Sequence, residues 1–126
     1  MNIWKRLIDL ELSSQEFGLE WPSTQEILAQ IESECREIRE HIDAGDCSSE
    51  NLGREIGDLM HAVMSLSWFC GFDSKTILLN SCDKFERRLN KMKQLSKANG
   101  EENLKHKSFD ELMYYWEATK RELDQG

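Results

Sequence analysis

Two pairs of carboxylates spaced three residues apart, Glu34-x-x-Glu37 and Glu55-x-x-Asp58, could do chemistry in this sequence. On a helix turning about 100° per residue, an i, i+3 pair projects from one face. Gln30, Glu34, Glu37 and His41 then share one edge of a single helix, with Glu34 closest to that helix's apolar residues. Glu55 falls almost within the apolar stripe of the following helix, and Asp58 lies on its border. Four anions gathered at a seam between two helices would repel each other and lose hydration. A divalent cation relieves both penalties, and an all-oxygen ligand set favours Mg²⁺, with Mn²⁺ as a substitute, over zinc. Spacing alone does not compel this, because most E-x-x-E pairs on acidic helices face water; Glu32, Glu40 and Glu50 point elsewhere in this way. A di-iron carboxylate bundle fits poorly. It needs two Glu-x-x-His motifs, whereas the sequence offers only Asp58-x-x-His61, and neither His41 nor His106 has a carboxylate three residues before it.

The elements that must hold these side chains read as helices throughout. Ser23-Thr24-Gln25-Glu26 after Pro22, and Ser108-Phe109-Asp110-Glu111, are capping boxes, and Asp73 after Gly71 can cap another start. Gly18 with Pro22, Gly45-Asp46, Gly71 and Gly100 are the breaks. Five helices follow, at roughly 2–16, 23–44, 49–70, 73–97 and 108–124. The second carries Ile27, Leu28, Ile31, Cys35, Ile38 and Ile42 at helical spacing; the third carries Leu52, Ile56, Leu59, Val63, Leu66 and Cys70. Their short connection, about 45–48, predicts that they pack antiparallel. The expected architecture is all-α, an antiparallel bundle in a single domain spanning 1–126.

Bulk composition narrows the partners. The 126 residues are 39 % apolar and 32 % charged, with one proline, which suits amphipathic helices but gives a lean core for a monomer. Completion by a partner subunit is therefore expected. A net charge of −8 disfavours binding to nucleic acid or to anionic membranes. A bound divalent ion can still invert the local field for a polyanionic small molecule. The four cysteines, Cys35, Cys47, Cys70 and Cys82, show neither a C-x-x-C pair nor zinc spacing. They read as reduced thiols, with Cys35 and Cys70 as core filler. With no secretory signal and no stretch as long as a membrane span, a cytoplasmic protein is expected.

The ordered motifs resemble one MazG domain. Phe17-Gly18-Leu19-Glu20-Trp21-Pro22 resembles the family's aromatic Trp-Pro entry. Glu34-Cys35-Arg36-Glu37 matches E-x-x-E, and Glu55-Ile56-Gly57-Asp58-Leu59 matches its E-x-G-D-L form of E-x-x-D. Lys84-Phe85-Glu86-Arg87-Arg88 is similar to its K-F-x-x-R. Ser108-Phe109-Asp110-Glu111-Leu112 with Trp116-Glu117-Ala118-Thr119-Lys120 resembles its closing helix. Each motif alone is weak, whereas all five in order, across about 17–121, are specific.

The resemblance implies Mg²⁺-dependent hydrolysis of a nucleoside or deoxynucleoside triphosphate to the monophosphate and pyrophosphate, a nucleotide house-cleaning role. It implies that Glu34, Glu37, Glu55 and Asp58 hold the metal and carry catalysis, in a homodimer or dimer of dimers. Lys84 and Arg88 match phosphate-binding positions and lie four apart on one helical face, as a polyphosphate clamp requires. Trp116 matches a nucleotide-contacting aromatic, and Arg54 joins the expected substrate-binding set. Trp4, Trp68 and Tyr115 read as packing. The sequence departs from the family pattern at Gln30, often Lys; at Ser33, often Glu; and at Asn51, often basic. Fewer cations imply weaker phosphate binding or altered substrate choice, and the four carboxylates survive. A helical sensor or interaction protein that binds without cleaving is the alternative. Nothing in the residues identifies a base-reading pocket.

Overall fold

The computed structural model describes residues 1–46 and 49–124, so Cys47 lies outside the described residues. The chain is all-helical. Its elements are α1 (Ile3–Phe17), α2 (Thr24–Asp43), α3 (Glu50–Phe69), α4 (Ser74–Ala98) and α5 (Phe109–Asp124), with no strand among the described residues. No helix among them is long and apolar enough to cross a membrane.

Helix boundaries follow local chemistry. Asn2 caps α1, its side chain accepting from the backbone N–H groups of Trp4 and Lys5, and Gly18 closes it at φ 101°, a left-handed conformation that glycine adopts without penalty. The Ser23 hydroxyl accepts from the Gln25 N–H at 3.2 Å and donates to the Glu26 carboxylate, fixing the start of α2. Ser108 and Glu111 form the reciprocal box expected at α5. The Glu111 N–H donates to the Ser108 hydroxyl at 3.2 Å, and the Ser108 N–H donates to Glu111 Oε1 at 3.5 Å.

The contacts divide the chain into two compact units, Met1–Ile77 and Leu78–Gly126, with the division inside α4. In the first unit α2 and α3 form the most extensive helix pair, and α1 packs on α3. His41 near the end of α2 meets Glu55 near the start of α3, while Glu26 in the first turn of α2 shares a cavity with Phe69 at the end of α3. The two helices therefore run antiparallel, as their short connection predicts. Ile27, Leu52 and Ala62 are buried here, and so are the polar Glu34, Ser65 and Ser67. In the second unit Tyr115 and Thr119 are buried on α5 and Ser96 on α4, with Asn99 Nδ2 donating to the Tyr115 hydroxyl at 3.1 Å.

Cys35 and Cys70 are exposed, which corrects their reading as core filler. On α2 the buried positions are Ile27 and Glu34, so the line of closest packing runs through Glu34, and Cys35, one residue on, is turned off it. Cys70 is the C-cap of α3, past its last packed turn. The apolar stripes are wider than the seam that covers them. Leu28 on α2 and Ile56, Met60 and Val63 on α3 remain exposed.

Candidate functional site

The α2–α3 seam brings together three of the four expected carboxylates. One oxygen each from Glu34, Glu37 and Glu55 lie within 4.8 Å of one another, the one group of its kind among the described residues. Glu34 and Glu37 are one turn apart on α2, and Glu55 faces them from α3. Asp58 stands outside this trio; it is exposed, one turn beyond Glu55, and lines a cavity together with Glu34.

The electrostatics are those of under-compensated anions. Glu55 is pushed up to about 7, first by its hydrogen bond with the Glu37 carboxyl, then by desolvation and by the Glu34 carboxyl. A proton shared between carboxyls is the only relief available when no cation is present. Glu34 is buried, and Gln30 Nε2 donates to its Oε1 at 2.8 Å. Its other oxygen, Oε2, is buried with no hydrogen-bond partner. Such an orphaned acceptor is costly in a folded protein.

A divalent cation fits this donor set. Neighbouring ligands of an octahedral Mg²⁺ lie about 3 Å apart and opposite ones about 4.2 Å, so oxygens within 4.8 Å of one another would draw together by up to roughly 2 Å, a side-chain rotation, to hold it. Gln30 stands beside this donor set. It holds Glu34 Oε1 by a neutral donor and leaves the negative charge uncompensated. His41, on the same edge of α2, places Nδ1 3.2 Å from Asp46 Oδ2 and Nε2 4.0 Å from Glu55 Oε1. Sequence spacing put His41 on this edge but did not reveal Asp46 behind it.

The other expected residues are placed as follows. Arg54 is exposed, donating to Asn51 Oδ1 at 2.8 Å and pairing with Glu50 at 3.5 Å, so its cation is engaged on its own helical turn. In the second unit the Arg88 guanidinium lies 5.4 Å from the Trp116 ring centroid, a cation–π stack, and Phe85 approaches the same indole at 6.2 Å. Lys84 is exposed and makes no ion pair among the described residues.

Sequence reasoning missed a cavity of about 820 Å³ in the first unit, bounded by α1, the Trp21–Pro22 entry, α2 and α3. Glu34 and Asp58 form part of its wall; Glu11, His61, Ser65, Trp68 and Phe69 form another part. Glu11 comes from α1, and the Ser65 hydroxyl donates to its Oε1 at 2.5 Å. The signal was present. Glu11 continues the stripe Trp4–Leu7–Ile8 at helical spacing, a carboxylate on an apolar line just as Glu55 is.

Comparison with known proteins identifies the family. The model of the MazG nucleotide pyrophosphohydrolase domain matches residues 22–93, a span that holds the four carboxylates, Lys84 and Arg88 but not α1 or Trp116. The nucleoside triphosphate pyrophosphohydrolase/pyrophosphatase MazG of Thermotoga maritima is 29 % identical over 111 residues. That alignment covers 88 % of this chain and 41 % of the relative's own length. With more than half of its residues matched by the family model, the chain belongs to the MazG nucleotide pyrophosphohydrolase domain family.

Proposed function

We propose that the protein hydrolyses nucleoside or deoxynucleoside triphosphates to the monophosphate and pyrophosphate, with Glu34, Glu37, Glu55 and Asp58 holding Mg²⁺. The observation that carries this reading is the convergence of three carboxylates with a buried, unpartnered oxygen on Glu34. When bound, the ion supplies neutralisation of phosphate charge and acidification of an attacking water. Gln30 holds Glu34 in place, and His41, whose Nδ1 lies 3.2 Å from Asp46 Oδ2, stands beside Glu55 at 4.0 Å. A carboxylate oxygen of the cluster not engaged by the ion would accept the proton of the attacking water. Lys84 and Arg88 bind phosphate oxygens. Trp116, stacked under Arg88, holds the guanidinium in a fixed plane with its N–H groups free at the edges. The chemistry suits removal of surplus or damaged nucleotides.

The test is pyrophosphate release from each ordinary and deoxy triphosphate with and without Mg²⁺. Metal-dependent release supports the hydrolase. Saturable binding without release favours a nucleotide sensor, and neither would favour an interaction protein.

The working form is a homodimer or a dimer of dimers. Exposed Ile56, Met60 and Val63 follow i, i+4, i+7 spacing along α3, an apolar line that a second copy can bury. Met60→Glu is expected to halve the molar mass measured by light scattering while preserving the helical CD signal; an unchanged mass places the interface elsewhere. The net charge of −8 argues against nucleic acid as a partner. The free thiols of Cys35, Cys70 and Cys82 suit a reducing, cytoplasmic setting.

A further inference from the structure

We propose that the cavity beside the carboxylate trio receives the nucleobase, and that Glu11 is a specificity-determining residue that selects guanine. This rests on the triphosphate reading above.

The cavity is the right size and in the right place. Its volume of about 820 Å³ is within the range of small-ligand sites. Glu34 and Asp58 mark its metal-side wall. Ser65 lies seven residues beyond Asp58 on the same helix, about 10 Å along the axis. That is comparable to the reach from an α-phosphate to the far edge of its base. Trp21 and Trp68 supply aromatic surface on which a base can lie flat.

Glu11 is the polar group built to read that base. Its side chain is only 17 % exposed, and the Ser65 hydroxyl fixes Oε1 from α3. Its Oε2 carries no hydrogen bond among the described residues. His61 Nε2 is 3.9 Å from Oε1, beyond hydrogen-bond reach, on a side chain 58 % exposed. The other cavity acids are less suited, since Glu26 is committed to the cap of α2 and Glu20 is exposed.

A carboxylate only accepts, and it has lone pairs for two parallel donors. Guanine alone of the ordinary bases presents two adjacent donors on its pairing edge, the ring N1–H and the 2-amino group. Adenine and cytosine set an acceptor nitrogen beside their amino group, and uracil flanks its single N–H with carbonyls. Each of these turns a lone pair toward the anion. Hypoxanthine keeps the ring N–H and loses the amino group, so it isolates half of the contact.

The experiment compares kcat/KM for GTP, ITP, ATP, CTP and UTP in the wild type and in Glu11→Gln, alongside calorimetric binding of GMP and IMP. GTP is expected to exceed ITP by about tenfold and ATP by about a hundredfold. Glu11→Gln keeps an acceptor for Ser65 and is expected to bring GTP to within about threefold of ITP, chiefly through KM. Hydrolysis without a GTP preference, or with a preference that survives Glu11→Gln, overturns the base assignment and leaves the hydrolase standing. GMP binding at least about tenfold tighter than IMP, lost in Glu11→Gln, supports the subsite even if no triphosphate is cleaved. Equal binding of GMP and IMP overturns it.

Discussion

Glu37→Gln and Asp58→Asn should each reduce metal-dependent pyrophosphate release by about a thousandfold, a loss of the size seen when one electrostatic stabiliser of a transition state is removed. Both residues are exposed, and both replacements keep the shape of the side chain while removing a charge. Helical CD and the thermal midpoint without metal should therefore be unchanged or slightly improved, since fewer anions share the seam. The pair also separates two versions of the centre. Glu37 belongs to the converged trio and Asp58 stands one turn beyond it. Loss in Glu37→Gln with retention in Asp58→Asn would define a three-carboxylate site. Full activity in both variants would remove the metal centre.

The second large effect is thermodynamic. Glu55 has a folded-state value of about 7 against 4.5 for an unperturbed glutamate. Between those values the folded chain holds a proton that the unfolded chain has released, so raising the pH favours unfolding. The associated stability is fully present below about pH 4.5 and is lost as the pH rises through 7. Without metal, the thermal midpoint should fall across this window. At pH 8, Mg²⁺ at about a hundred times its Kd should restore it by on the order of 10 °C. At pH 5 the same addition should do much less, because the ion must first displace the shared proton. Equal shifts at both pH values would contradict the raised Glu55, and Glu55→Gln should flatten the metal-free pH dependence.

Much of this was legible because it is periodic. Capping boxes at Ser23 and Ser108 located two helix starts, and the arc from Gln30 to His41 correctly placed the residues that surround the trio. Helical spacing reports which residues share a face; it does not report how that face is rotated toward its neighbour. Cys35 was therefore placed inside when Glu34 takes that position. The cavity was invisible for a related reason. It is formed where α1, the Trp21–Pro22 entry and two further helices diverge, and no single stretch of sequence encodes a gap. Glu11 could have been suspected from its apolar line, but its partner Ser65 is fifty-four positions away. The stack of Arg88 on Trp116 likewise joins two motifs that had been given separate tasks.

α1 supplies one wall of the cavity yet precedes the stretch, 22–93, that the family model matches. On the proposed assignment of Glu11, part of the choice of substrate would be written outside the stretch that carries the carboxylates. Replacing the first seventeen residues could redirect selectivity with little cost to the hydrolytic step, so α1 is the place to begin when engineering a new substrate range.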